Sequence, residues 1–198
     1  MIHCEVNIAD LVKLKELPQK LFNSAFFNEL GQYMVSSTQR KIRSGLRPEN
    51  APLTKAYKKS GLTLRDTGRL LSSITHKADA ISVIVGTNVI YGRIHQLGGT
   101  IQPKKARKLW IPAGWETRKL MRRYGATPEA VVKAMKSAGY RVWKSRSGKA
   151  ILYADKKGKP QVLFVLKESV KIPARPYLKV DDADVQVITK KVERWLKK

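Results

Sequence analysis

Cysteine, acidic residues and long apolar runs are all scarce in this sequence, and each scarcity limits what the protein can be. Cys4 is the only cysteine, so an intrachain disulfide is impossible and a reducing cytoplasm is the expected place of synthesis. No apolar run approaches the length needed to cross a membrane. The first residues, MIHCEVNIADLVK, also lack the basic start and apolar stretch of a secretory signal. The sequence therefore predicts no membrane association.

The residue patterns of common catalytic and metal sites are also missing. The histidines His3, His76 and His95 are scattered and show no metal-ligand spacing. GTNVIYG and QLGGT lack the glycine spacing and the Lys-Ser/Thr pair of a phosphate loop, and neither GxSxG nor HExxH occurs. Without a nucleophile or carboxylate nearby in sequence, His95 is better interpreted as a hydrogen-bonding residue in a turn. We predict a protein that is not an enzyme and binds no metal or cofactor.

Positive charge is present in large excess. Lys and Arg number 40 and Asp and Glu 15, which gives a net charge of +25 over 198 residues. Such a field repels itself, so nucleic acid, a membrane surface or an acidic protein ring should meet it in the working state. The best candidates for DNA phosphate contacts are two clusters: Lys104, Lys105, Arg107 and Lys108, and Arg118, Lys119, Arg122 and Arg123. These cations could equally face acidic protein or only solvent.

Apolar periodicity predicts an α+β fold. Residues 19–44 have the pattern of a long helix with an apolar stripe, and Gly45 is a suitable end. A second amphipathic helix begins at Asp181 or Asp182. We expect these helices to pack on one mainly antiparallel sheet, because its apolar face and theirs must bury each other. The strands expected in this sheet are the N-terminal strand and residues 81–87, 100–111 and 168–173.

Residues 113–167 have the pattern of a small inserted α+β lobe, and 1–112 with 168–198 form the core domain around it. Helical patterns cover Trp115 to Tyr124 and the stretch after Thr127, a good N-cap. Strand patterns follow, and Trp143, Tyr153 and Phe164 are the expected lobe core. We expect the main sheet to survive replacement of the lobe by a short linker. Residues 100–171 are interpreted as peculiar to this chain.

Residues 64–99 form the most distinctive stretch. Asp66 or Thr67 is the expected cap of a short helix, and residues 75–80 are polar and turn-like. After the strand at 81–85, Gly86 is expected to have a positive φ or a bulge. Ile90, Tyr91 and Ile94 then predict one turn of a packed helix that stops at Gly98-Gly99.

One set of residues in this stretch forms a spaced motif: Leu64, Thr67-Gly68, Leu70, Ser73, Val85-Gly86, Tyr91, His95 and Gly98. Together with APLT at 51–54 and IPARPYL at 172–178, this set resembles the phage virion morphogenesis family, which includes tail completion proteins. The chain departs from that family at Gly92, where alanine is usual. The stretch between Gly99 and Ile172 has no counterpart in the pattern.

The resemblance implies fold or interface roles for the motif residues Thr67, Gly68, Leu70, Gly86, Tyr91, His95, Gly98, Gly99, Pro173, Arg175 and Pro176. It also implies a structural virion protein of the head–tail joint, made in the host cytoplasm, that acts in tail completion or in the neck. Copies would form a ring, hexameric by analogy with tail components, docked to other neck, tail-tube or tail-terminator proteins.

Such a ring would surround the DNA channel, so the basic excess could contact packaged DNA without sequence preference. The alternative is a free, non-sequence-specific nucleic-acid-binding protein. The charge supports that alternative, but the sequence shows no known DNA-binding motif.

Overall fold

A computed structural model of the chain describes residues 2–6, 23–58, 61–125 and 127–197. The chain divides into two compact units that alternate along the sequence. The first unit comprises Met1–Pro48, Leu62–Gly98 and Pro173–Lys198, and the second comprises Glu49–Gly61 and Gly99–Ile172. Helices and antiparallel strands occur together, so the predicted α+β fold class is confirmed.

The first unit is a three-stranded antiparallel sheet packed by helices. Its strands are β1 (Ile2–Val6), β2 (Ile74–Ala78) and β3 (Val83–Thr87), with β3 in the centre. Its helices are α1 (Ser24–Ser44), α3 (Arg69–Ser72), α4 (Gly92–Leu97) and α7 (Asp182–Leu196). The core joins α1 to the sheet and to α7 through Phe26, Phe27, Leu30, Met34, Ile42, Val83, Val85, Ile188 and Val192.

Helix α1 has the ends and the apolar stripe that its sequence predicts. The Asn23 side chain accepts hydrogen bonds from the backbone amides of the first turn, and Gly45 ends the helix with φ 83°. Gly31 lies inside the helix at its closest approach to β2. A Cβ there would collide with the ring of His76, so glycine is what allows this packing. Residues 19–22 of the predicted helix, and a short helix expected at 10–17, lie outside the described residues.

A buried carboxylate ties α7 to α1. Asp184 closes a capping box with Asp181, as the sequence pattern of this helix suggests. It also accepts hydrogen bonds from Ser37 Oγ at 2.5 Å and Tyr33 Oη at 3.0 Å, and it pairs with Lys41. Burial would raise the pKa of Asp184, but the hydrogen bonds from Lys41 and Ser37 outweigh it and lower the pKa to about 2.

The second unit contains two sheets and three helices. Its larger sheet has the order β5 (Leu109–Pro112), β8 (Pro160–Lys167), β7 (Ala150–Ala154) and β6 (Val142–Lys144). The smaller sheet pairs β4 (Gly99–Ile101) with β9 (Val170–Ile172). The helices are α2 (Pro52–Tyr57), α5 (Trp115–Tyr124) and α6 (Pro128–Ser137), and Thr127 caps α6 as predicted. Its core consists of Val131, Met135, Ile151, Leu163, Phe164 and Leu166.

The expectation of one sheet for the main strands is wrong. Residues 100–111 split into β4 and β5, which pair with different strands. Periodicity indicates which residues form strands but carries no information about distant partners, which explains the error. The second unit is also wider than the predicted lobe 113–167, since it takes in β4, β5, β9 and residues 49–61. Whether 113–167 can be removed without harm stays a prediction.

Several local expectations also need correction. The polar residues 75–78 belong to strand β2 and do not form a turn, because only alternate residues of this strand face the core. Gly86 lies inside β3, paired with Thr75, and has no positive φ. Neither Asp66 nor Thr67 caps α3: the N-cap is Gly68, with φ 84°.

Candidate functional site

The motif residues between Thr67 and Gly98 mostly shape the first unit. Leu70 is buried in its core, Gly86 is buried within β3, and Thr67 is exposed. Gly98 ends α4 with φ 73°, and Gly99, with φ 151°, begins β4 of the second unit. Both values lie in the region that glycine adopts most easily, which accounts for the pair.

The structure brings the two distant halves of the motif together along α4. The backbone carbonyl of His95 accepts a hydrogen bond from the Arg175 amide at 2.7 Å. The Gln96 side-chain oxygen accepts from the amides of Tyr177 and Leu178, at 2.9 and 3.0 Å, and its nitrogen donates to the Leu178 carbonyl at 2.8 Å. Gln96 thus holds the closing segment in the manner of a neighbouring strand. Sequence reasoning missed it, although an amide beside the glycine pair was a usable signal.

Arg175 acts inside the fold. Its side chain is buried, and Nε donates a hydrogen bond to the Pro48 carbonyl at 2.6 Å. Burial lowers the pKa of Arg175. Pro173 and Pro176, on either side, are exposed. The closing motif therefore fixes the chain near Pro48 and α4 through Arg175, while its prolines face outward.

Tyr177 explains why this chain has glycine at position 92. The Tyr177 side chain is fully buried, and its hydroxyl has no hydrogen-bond partner among the described residues. Burial, with a smaller effect of Tyr91, raises its pKa to about 12. A Cβ on Gly92 would lie 2.7 Å from this hydroxyl, so alanine would not fit without a shift.

The beginning and end of α4 expose apolar side chains, which we call the α4 apolar surface: Ile90, Tyr91 and Leu97. Their exposed fractions are 96%, 43% and 63%. The expectation that Ile90 and Tyr91 pack inward is therefore wrong: the core takes Val89 just before them, while Ile94 is only partly buried. Ile90 and Tyr91 are neighbours in the chain, and contiguous exposed apolar patches on a protein surface commonly mark protein–protein contacts.

The first cationic cluster lies between β4 and β5. Lys104, Lys105 and Arg107 are exposed, and no carboxylate in the described part of the chain lies within ion-pairing distance of them. Lys108 is partly exposed and lies 3.9 Å from Glu168. The first three cations are thus available to an external anion such as a phosphate.

The second cluster, on α5, is used differently. Arg118 is buried, with its guanidinium 5.0 Å from the ring centroid of Tyr57 and 5.4 Å from that of Trp115. It therefore joins α2 to α5 by cation–π contacts and is not presented to DNA. Lys119 pairs with Glu116 at 2.8 Å. The exposed Arg122 and Arg123 stack on Trp115 and Tyr124, at 5.7 and 5.2 Å.

Charge is unevenly divided between the two units. The second unit carries 22 Lys and Arg against 5 Asp and Glu, a net charge of +17. The first unit carries 18 against 10, a net charge of +8. The second unit is therefore the main source of the basic field.

Two other kinds of site, a membrane span and a metal centre, are absent from the described residues. Among the described helices, none has the length and apolar character required to span a bilayer. The same residues contain no group of three or more His, Cys, Asp or Glu side chains placed to hold a metal ion.

Comparison with known proteins gives a consistent result. Residues 11–137 match the phage virion morphogenesis family. The chain is also similar to the "Mu-like prophage FluMu G protein 2" of Haemophilus influenzae, with 34% identity over 120 residues, which cover 57% of this chain and 80% of that protein. No solved structure matches the chain.

The matched range changes one earlier interpretation. It includes all of α5 and α6, so the stretch from residue 100 to 137 is not peculiar to this chain. The closing motif at 172–178 lies beyond it, although Gln96 binds that segment to the matched part. The match covers well over half of the sequence, and the chain therefore belongs to the phage virion morphogenesis family.

Proposed function

We propose that this protein is a structural component of the phage head–tail joint, a tail completion or neck protein that works by assembling into a ring. Family membership gives the protein a role in building the phage particle. The observation that carries the finer proposal is the α4 apolar surface, because the matched part of the chain leaves Ile90 almost fully exposed.

An exposed apolar surface of this kind favours association with another protein. Covering a fully exposed side chain such as isoleucine contributes about 1.5–3 kcal/mol, so a contact that covers Ile90 and Leu97 gains up to two such increments. In a ring, the surface of each copy meets a different surface of the next, and the contacts close on themselves. Repetition of one contact around the ring would give a stable assembly without any chemical reaction.

The second part of the proposal concerns DNA. In a joint through which DNA passes, the +17 of the second unit would face phosphates, and Lys104, Lys105 and Arg107 are the residues best placed for this. Such contacts carry no sequence information. The same charge supports the alternative, a free DNA-binding protein that does not assemble.

The oligomeric state separates the two functions. Size-exclusion chromatography with light scattering should find that the parent protein is a closed oligomer. The same measurement is made on the variant Ile90→Asp and on the control variant Ile81→Asp. Ile81 is 70% exposed but lies outside the α4 apolar surface. We expect Ile90→Asp to give folded monomers and Ile81→Asp to leave the oligomer intact. A monomeric parent protein that shifts duplex DNA at moderate salt would favour the alternative.

A further inference from the structure

The four-stranded sheet of the second unit has two apolar faces, and only one belongs to its core. Side chains of paired residues lie on the same face, and the face alternates along each strand. Trp110, Phe164, Ile151 and Leu166 face the core that α6 completes. The opposite face carries two cross-strand rows, Ile111–Val165–Ala150 and Val162–Leu152–Trp143. We call these two rows the outer sheet face.

The outer sheet face belongs to neither hydrophobic core of the described chain. Val162 is 46% exposed, and its five companions are half-buried, whereas the core residues Leu163 and Phe164 are fully buried. Trp143 is one of these companions, so the expectation that it forms the lobe core with Tyr153 and Phe164 is wrong. Its register with Leu152 puts it on the outer sheet face.

The strand sequence is that of a sheet covered on both sides. Residues 162–166 of β8 read VLFVL, without a polar residue. Strands that face water on one side alternate apolar and polar residues, while strands buried on both faces are continuously apolar. Helices α5 and α6 contribute apolar residues to the core on the other face, and the outer sheet face belongs to neither core of the described residues. The sequence therefore favours a further cover for the outer sheet face.

Charge decides what kind of cover fits. Lys167 follows Val165 at the next position of the same face, and the Arg141 guanidinium lies 5.3 Å from the ring centroid of Trp143. A second copy would bring another +17 against this one, and like charges oppose such a contact. Duplex DNA would place phosphates on an apolar centre that offers no hydrogen bonds. A polypeptide surface with apolar residues at its centre would cover the two apolar rows, and carboxylates around that centre would pair with the cations Lys167 and Arg141 at their edge.

We propose that the outer sheet face docks a different protein, whose contact surface has an apolar centre and an acidic rim. This inference goes beyond the ring, which uses α4 of the first unit. The two proposals can therefore fail separately.

Photo-crosslinking in cells that assemble the phage tests the proposal. The full chain carries benzoylphenylalanine at position 162, and a matched chain carries it at position 133, an exposed site on α6. We expect position 162 to crosslink to another virion protein, at a segment that mass spectrometry shows to contain apolar and acidic residues, and position 133 not to do so. Adducts with DNA, with a second copy of this chain, or at the same level from both positions would overturn the proposal.

Two substitutions at one site then test the charge of the partner. Against the crosslinked protein in purified form, Val162→Glu should weaken binding at least tenfold, and more than Val162→Lys does. The control Ile81→Glu should change binding less than twofold, and circular dichroism should show all three variants folded. Equal losses for Val162→Glu and Val162→Lys, or a larger loss for Val162→Lys, would contradict an acidic rim. Oligomeric state, measured in parallel, reports on the ring alone.

Discussion

The hydroxyl of Tyr177 is a buried polar group that lies beside Gly92 and has no hydrogen-bond partner among the described residues. A buried donor without a partner costs about 1–3 kcal/mol relative to a hydrated one. The neighbouring Gly92 cannot carry a side chain while this hydroxyl is in place, since its Cβ would come within 2.7 Å. Positions 92 and 177 are therefore energetically coupled although they lie far apart in sequence.

We expect Tyr177→Phe to raise the free energy of unfolding by about 1 kcal/mol, because it removes the unpartnered hydroxyl and keeps the ring. Gly92→Ala should cost about 1–3 kcal/mol in the parent chain through overpacking, and less in the Tyr177→Phe background. Urea denaturation of the four proteins of this double-mutant cycle measures the coupling. A Gly92→Ala cost unchanged by Tyr177→Phe would mean that Thr87, at 3.0 Å from the same Cβ, makes the decisive contact.

Asp184 should make stability depend on acid pH. Its pKa is about 2 in the folded chain against an ordinary value of 3.8. The ionised Asp184 therefore stabilises the folded chain by roughly 2 kcal/mol. This stabilisation is complete at a pH above the pKa of Asp184 in the unfolded chain, and it is lost as the pH falls through the pKa in the folded chain. Asp184→Asn should be destabilised by about that amount at pH 7, and its difference from the parent should shrink toward pH 2. Asp182→Asn, which changes an exposed residue in the same helix, is the control. An equal loss in the free energy of unfolding for Asp182→Asn would show that the acid dependence of stability does not come from Asp184.

At the scale of elements, the ends of the long helices could be predicted from sequence, and the pairing of strands could not. The sequence did not predict Asn23 as the N-cap of α1. It did predict that Gly45 ends α1, that Thr127 caps α6 and that Asp181 is a candidate cap of α7, and the structure has all three. The sequence pattern does not predict strand β2, because Ile74 is its only fully buried residue and most of the residues that follow it are polar. Local patterns contain capping chemistry, whereas sheet membership depends on partners many residues away.

The same limit applies to the candidate sites. Sequence pattern placed Arg118 with three other cations on one helix, but Tyr57, sixty-one residues earlier, encloses its guanidinium. It also placed Ile90 in a packed helical turn, because apolar spacing does not reveal which side of a short helix meets a core. The family resemblance implied fold or interface roles for Gly98 and Arg175. In the structure Gly98 ends α4 with a positive φ, and Arg175 donates a hydrogen bond to the Pro48 carbonyl.

The β4–β9 pair offers a way to remove most of the second unit. Ile101 pairs with Val170, so an Asn-Gly turn replacing residues 102–169 would close a hairpin. We expect this variant to be soluble and to unfold cooperatively, because the first unit keeps its own core. Thermal unfolding followed by circular dichroism is the measurement.

Removing only the predicted lobe, 113–167, is the matched comparison. That excision leaves β5 without its partner β8 and exposes Trp110 and Ile111, so, contrary to the expectation from sequence, we expect it to aggregate. A well-behaved 113–167 excision together with a misfolded 102–169 excision would reverse our assignment of β5 to the second unit.

For the whole molecule, the basic field should produce salt-dependent DNA binding. Changing Lys104, Lys105 and Arg107 to Gln removes three candidate phosphate contacts. Each contact contributes about 0.9 to the slope of log affinity against log salt, so the slope should flatten by roughly 2–3, equally for unrelated duplexes. The control removes the same charge elsewhere on the second unit, at Lys133, Lys136 and Lys156, and should flatten it less. Unchanged DNA affinity with failed incorporation into tails would assign the cluster to protein docking.

The division of the chain has a mechanical consequence. The backbone passes between the units four times, at residues 48/49, 61/62, 98/99 and 172/173. A protease that nicks any one of these connections separates neither unit from the other, because the three remaining connections still join them. A force applied to one unit is likewise shared among four covalent tethers, whereas a domain appended at a terminus has one. At the head–tail joint that we propose, this threading would keep the two units of each copy together after a single break.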